Sequence, residues 1–215
     1  MNQIVMALQR QAGPIPEGAV LLSEKDAVRH QWQIISSWEP KSEVWPFRYA
    51  LAVSALSGGG IAAYVNGHFR KKLRLAHHGR AITFLPNVII PAIVSSMFHQ
   101  NVMTDVMLMK TDCPVCIQIR SSAYQAFFGG IYPTFLAPVS TLLMAARYYT
   151  FPVPSIQSSP MDVVKLWAKI TLPMKNFLLV AALGQALIGS SLAYFEIKSV
   201  IKLSQKLGHI EENLS

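Results

Sequence analysis

The chain has 215 residues, of which 52% are hydrophobic and 14% charged, with a formal net charge of +8 and a mean hydropathy of +0.33. So little charge on so apolar a chain excludes an ordinary soluble domain and points to a small integral membrane protein. The lysines and arginines stand at the ends of apolar runs, not in a basic tract interleaved with aromatics, which excludes a nucleic-acid partner and leaves anionic lipid headgroups as the expected counter-charge.

Residues 1–46 are the most polar part, interrupted by Gly13, Pro14, Pro16 and Pro40, and no globular domain is expected there. Met1 to Gln11, with Arg10 and no acid before Glu17, has the weak outline of an organellar targeting helix. Ser23, with Asp26 three residues later, caps a helix on which Val28, Trp32 and Ile35 share a face suited to the headgroup layer, and Trp38 and Trp45 extend that belt. A tail that orders only against a partner is the competing reading.

The first span is expected at about 49–67, where Ala55, Gly59, Ala63 and Gly67 recur every four residues as a packing stripe. Gly58, Gly59 and Gly60 lack the preceding strand and following Lys-Ser/Thr of a phosphate loop, so they read as helix packing or a bend. Arg70, Lys71, Lys72, Arg74 and Arg80 then form the densest basic cluster, placed to meet headgroups or a partner. His77 and His78 are adjacent, so on a helix they diverge and make no metal pair. The second span, about 81–98, carries Pro86 and Pro91 and ends at His99, where the chain is polar enough to leave the membrane.

The third span, about 121–146, is the longest, with 26 uncharged residues between Arg120 and Arg147. Its stripe of Ser122, Ala126, Gly130 and Thr134 is predicted to pair with that of the first span. Pro133 and Pro138 free backbone carbonyls, which lipid tolerates only where neighbours bond them. Farther on, Ser159 as N-cap, Pro160 and Asp162 begin a helix with Val163, Leu166, Trp167 and Ile170 on one face and Lys165 and Lys169 on another. That pattern suits the membrane interface or a soluble partner equally. The fourth span, about 176–195, carries Ala182, Ala186 and Ser190 on one stripe, and Gln185 should hydrogen-bond within the bundle. Lys198, Lys202 and Lys206 follow on an amphipathic helix ending near Gly208. The chain therefore divides into an N-terminal polar tail (1–46), a four-span domain (47–196) and an amphipathic tail (197–215). The fold class is all-α: a polytopic membrane protein of four transmembrane helices with short interfacial amphipathic helices.

Cys113-Pro114-Val115-Cys116 precedes the third span. Zinc would need a second pair, and a redox site would want a strand-helix-strand setting. A disulfide between Cys113 and Cys116, or simple packing, is favoured over thiol chemistry.

The run Asp112 to Cys116, then Arg120-Ser121, Gly129-Gly130-Ile131-Tyr132-Pro133, Leu136-Ala137 and Ala145-Ala146-Arg147-Tyr148, resembles the transmembrane protein 126 family. The Asn66 to Leu73 stretch is similar to the same family, and the likeness covers about 47–200. The resemblance implies a four-span mitochondrial inner-membrane protein that assists assembly of the membrane arm of respiratory complex I without catalysing a reaction. Its partners would be membrane-arm subunits, other complex I assembly factors and anionic phospholipid, cardiolipin among them. The small-residue stripes would dock hydrophobic subunits, while Arg70, Lys71, Lys72, Arg74, Lys165 and Lys169 meet headgroups or partners. No catalytic, cofactor-binding or metal-ligating residue is expected. The basic loops after spans one and three should face the matrix, leaving the termini and the cysteines in the intermembrane space. The alternatives are a small transporter or channel, which should carry ionisable residues where the four spans have none, and a thiol-disulfide protein using Cys113 and Cys116.

Overall fold

Residues 21–110, 113–155 and 157–212 are described by a computed structural model, and they form helices and short connections with no strand among them. The candidate targeting stretch Met1 to Gln11, the Gly13, Pro14 and Pro16 breaks and Asp112 lie outside the described residues. In chain order the helices are α1 (Glu24–Ser37), α2 (Trp45–Lys72), α3 (Arg80–Met107), α4 (Pro114–Arg147), α5 (Pro160–Thr171) and α6 (Lys175–Glu212). Short 3-10 turns at Lys41–Glu43 and Leu172–Met174 precede α2 and α6.

Local chemistry accounts for the starts and bends. The Ser23 hydroxyl accepts the Asp26 backbone N–H at 3.3 Å, which caps α1, and Pro160 occupies the first turn of α5 behind Ser159. Prolines distort α3 and α4 without ending them. A π turn at Leu85–Ile89 surrounds Pro86 and precedes Pro91, and another at Gln125–Ile131 precedes Pro133, where the wider turn absorbs the ring's clash with the backbone behind it. Pro138 lies inside α4 and lacks the N–H that would bond the carbonyl four residues earlier, that of Thr134. The Trp167 indole, brought across by α5, donates to that carbonyl at 2.9 Å.

Helices α2, α3, α4 and α6 run alternately up and down, and each end of the bundle is closed by its own apolar cluster. At one end Ile34 and Ile35 of α1 pack with Phe47 of α2, Met103 of α3 and Leu203 and Leu207 of α6. At the other, Val65 and Phe69 of α2 meet Ala145 of α4, Ile170 of α5 and Met174. Burial of these side chains stabilises the bundle by roughly 1.5–3 kcal/mol for each large one.

Among the described residues three stretches are long and apolar enough to cross a membrane: Arg80–Met107, Pro114–Arg147 and Pro160–His209. Helix α2 has 28 residues but is not among them, because Ser54, Ser57, four glycines and Asn66 dilute its apolar content.

Two sequence expectations change at the first of these ends. The apolar face of α1 is turned onto its own bundle, with Ala27, Ile34 and Ile35 buried and Val28, Trp32 and Trp38 packed beside them, so it is not laid out for headgroups. The boundary at residue 197 disappears as well, since α6 continues unbroken to Glu212. At 38 residues it reaches about 57 Å, well beyond the roughly 30 Å of a hydrocarbon core. Its last turns are held by Glu43, which accepts from Lys206 at 2.7 Å, Lys202 at 2.9 Å and the Trp38 indole at 3.0 Å. The hydrogen bond from Lys206, then those from Trp38 and Lys202, hold the Glu43 carboxyl down at about 2.

Candidate functional site

Small residues let the four long helices approach closely, and polar side chains fill the seams they leave. A Cβ added at Gly58 of α2 would stand 3.2 Å from the Cα of Gly129 on α4. One at Gly130 would stand 3.0 Å from the Cα of Ala182, and one at Gly189 would stand 2.6 Å from the Ser121 carbonyl oxygen. Along these seams runs a continuous buried polar strip. Gln125 of α4 sits at its centre, accepting from Ser95 of α3 at 2.5 Å and donating to Ser54 of α2. The Ser54 and Ser95 hydroxyls lie 3.3 Å apart, and Ser57 donates to Gln185 of α6 at 3.3 Å. Ser121 and Ser122 donate to the Gly189 and Ala186 carbonyls at 2.8 and 3.0 Å, stitching α4 to α6. A second node joins Asn87 of α3 to Asn66 of α2 at 2.8 Å, while Ser140 of α4 donates to Asn87 at 3.0 Å.

The strip ends at an ionisable pair. His99 Nε2 and Glu196 Oε1 are 2.9 Å apart with both side chains fully buried, and the other Glu196 oxygen has no hydrogen-bond partner. The four expected spans carry no ionisable residue, yet the packed interior holds this pair just outside their bounds. His99, where the sequence reading takes the chain out of the membrane, and Glu196, which that reading does not single out, each stand one residue beyond an expected span. The cap built by α1 and the end of α6 extends the packed interior past that point, so both are enclosed. A buried His–Glu pair can exchange a proton or carry opposite charges, and either state leaves a polar group costly to separate.

The predicted stripes are present but shifted in use. Ser122 and Gly130 face Ala186 and Ala182 of α6, so the third-span stripe pairs with the fourth span and not, as expected, with the first. Thr134 is buried, Ala126 and Ser190 half-buried, and Ser190 donates to Gln118 at 3.4 Å. On α2 the contact line is Ser54, Gly58, Ala62 and Val65; Gly59 meets Ala92 of α3, Ala55 and Ala63 are half-buried, and Gly67 is exposed. These side chains join helices of the same chain, so the stripes are not free docking faces.

Arg70 also departs from its expected role. It is buried, donating to the Thr83 hydroxyl at 2.7 Å and to the Ala76 and His78 carbonyls at 2.7 and 3.1 Å, and it thereby fixes the α2–α3 turn. Lys71, Lys72, Arg74, Lys165 and Lys169 are exposed, with Lys165 paired to Asp162 at 3.1 Å. Cys113 and Cys116 form a disulfide, and the Cys113 sulfur accepts the Cys116 N–H at the start of α4. Among the described residues no three His, Cys, Asp or Glu side chains converge as a metal set.

Sequence reasoning picked out Gln185 but missed Ser54, Ser95, His99, Gln125 and Glu196. A signal existed: Ser95 with His99 and Ser121 with Gln125 are polar pairs four residues apart, each on one helix face.

Residues 31–209, which hold this whole strip, match the family model described as Transmembrane protein 126. The chain belongs to the transmembrane protein 126 family. It is 41% identical to Transmembrane protein 126 of Drosophila melanogaster over 97% of this chain and 95% of that one. It is also 27% identical to Transmembrane protein 126A of Rattus norvegicus and 26% identical to that of Mus musculus, each over 72% of this chain and 76% of the relative. No solved structure matches. The transmembrane protein 126 match takes in α2 to α5 whole, together with the second half of α1 and most of α6.

Proposed function

We propose that this protein is a non-enzymatic scaffold of the mitochondrial inner membrane that assists assembly of the membrane arm of respiratory complex I. The observation that carries this reading is membership of the transmembrane protein 126 family over nearly the whole chain, to which the complex I role is joined by the resemblance. In this reading α2 is the fourth span. It runs antiparallel to its neighbours, and its 28 residues reach about 42 Å, more than the roughly 30 Å required. The loops after α2 and α4 face the matrix, and the termini with the Cys113–Cys116 disulfide face the intermembrane space.

Because the small-residue stripes are consumed inside the bundle, docking passes to the outer apolar faces. Leu179, Leu183 and Leu187 stand four residues apart on α6 and are 62%, 58% and 70% exposed. This ridge supports lateral contact with hydrophobic membrane-arm subunits. A photo-crosslinking side chain placed at Leu183 in mitochondria tests it. Adducts with complex I membrane-arm subunits are expected, and adducts with lipid alone would sink the scaffold reading.

One observation favours a second reading. An ionisable pair inside a membrane bundle is a functional site by default, and His99 with Glu196 supplies one. Proteoliposomes holding the wild-type chain should show no proton flux if the pair is a structural clamp. Flux abolished by Glu196→Gln would make the protein a transporter.

A further inference from the structure

The α2–α3 corner carries a groove of about 520 Å³ lined by Ala63, Asn66, Gly67, Arg70, Lys71, Ala76, Arg80 and Phe84, within the size range of ligand sites. Three of these eight side chains are cationic and none is acidic. Arg70, Lys71 and Arg80 have no ion-pair partner among the described residues, and the hydrogen bonds of Arg70 all go to neutral oxygens. Arg70 is buried while Lys71 and Arg80 stand exposed at the rim, and no carboxylate of the described residues offsets this concentration of positive charge. No Asp or Glu occurs between Glu43 and Asp105, so none is available nearby in sequence.

The groove is also graded along the helix axes. Its cations lie at the outer end, where α2 finishes and α3 begins, while Ala63 and Phe84 lie one to two turns deeper on the same two helices. A Cβ at Gly67 would meet nothing within 4 Å, which leaves the floor open, and Phe84 is 44% exposed. A free phosphate would use only the outer end of such a site. We infer that the groove binds an anionic phospholipid, with the phosphodiester held between Lys71 and Arg80 and an acyl chain descending past Gly67 toward Phe84. Arg70 positions the site: its bonds to Thr83, Ala76 and His78 set the turn that brings Lys71 and Arg80 to opposite rims, and its charge adds to the field at the phosphate.

The inference rests on the membrane reading above, and the test keeps the two apart. The full chain is first checked for retention in alkaline-extracted membranes; release would end the membrane reading itself. The purified chain in detergent is then examined by native mass spectrometry with added phosphatidylglycerol, phosphatidylcholine or inorganic phosphate. A phosphatidylglycerol adduct is expected on the wild type. It should weaken about tenfold or more in Lys71→Ala/Arg80→Ala, since each basic side chain near a headgroup contributes about 1 kcal/mol. Lys25→Ala/Lys198→Ala, two exposed lysines away from the groove, should keep the adduct, and Gly67→Leu, whose Cβ enters open space, should lose it with the fold intact. If the double variant does not fold, Gly67→Leu decides. Equal retention of phosphatidylcholine, an unchanged adduct in Gly67→Leu, or inorganic phosphate binding as tightly as the lipid would each overturn the assignment.

Discussion

Gly189→Ala adds one methyl group at the tightest contact between α4 and α6. That carbon would stand 2.6 Å from the Ser121 carbonyl oxygen and 2.9 Å from both the Ser121 carbonyl carbon and Gln125 Cγ. Comfortable separations between such atoms are about 3.5 Å, so the two helices must part by nearly 1 Å. Two of the three obstructing atoms are backbone and have no rotamer to adopt. Overpacking of this kind costs about 1–3 kcal/mol. Parting the helices also stretches the bond from Ser121 to the Gly189 carbonyl, 2.8 Å in the wild type, which is worth about 0.5–1.5 kcal/mol. Replacing a mid-helix glycine returns about 0.5–1 kcal/mol, so the net loss is about 1–3 kcal/mol. Gly184→Ala is the internal control, since a Cβ there meets nothing within 4 Å and only the helix gain of up to about 1 kcal/mol remains. Equilibrium unfolding of the full chain by SDS titration in mixed micelles should rank Gly184→Ala at or above wild type and Gly189→Ala clearly below. A Gly189→Ala protein as stable as wild type would refute the packing argument.

His99→Ala leaves Glu196 fully buried with neither oxygen partnered, and the same titration should show a loss of about 3–5 kcal/mol, largely restored in His99→Leu/Glu196→Leu; a double variant as weak as the single one would contradict this. Trp167→Phe removes the donor that serves the Thr134 carbonyl and should cost about 1 kcal/mol, but far less in a Pro138→Ala background, where the restored N–H bonds that carbonyl within α4. Additive effects in that double-mutant cycle would show the two to be uncoupled. For Glu43 the folded value of about 2 lies below its ordinary 4.5, so its stabilising effect is complete above about pH 4.5 and is lost as the pH falls through about 2. Hydrogen exchange at residues 197–207 should accelerate over that acid window in the wild type. The Glu43→Gln protein should exchange fast at both ends, and a wild type without the acid acceleration would remove the contact.

Much of this arrangement was legible because membrane helices obey few rules. Uncharged runs marked four spans, of which those in α3, α4 and α6 are long and apolar enough to cross a membrane, Ser23 and Ser159 marked helix starts, and Pro138 announced a carbonyl that some neighbour had to bond. That neighbour, Trp167, was read only as part of an apolar face, since its indole N–H has a purpose only once α5 lies against α4. Small-residue stripes could be recognised, but their partners could not be assigned. A four-residue period names a face without saying which helix meets it, and Gly130 met Ala182 where the sequence pointed toward α2. His99 and Glu196 were hidden by another limit. Hydropathy draws a span boundary where charge begins, whereas the packed interior ends where the covering elements end. The cover here comes from α1 and from the far end of α6, remote in sequence from the boundary at His99.

The most direct test of the assembly role is native-gel complexome profiling of mitochondrial membranes from cells with and without the protein, followed by re-expression of the wild-type chain. The protein should co-migrate with partial complex I species, these should stall when it is removed, and re-expression should release them. Normal complex I in its absence, with no co-migration, would contradict the assembly role and leave the His99–Glu196 pair as the starting point for transport measurements.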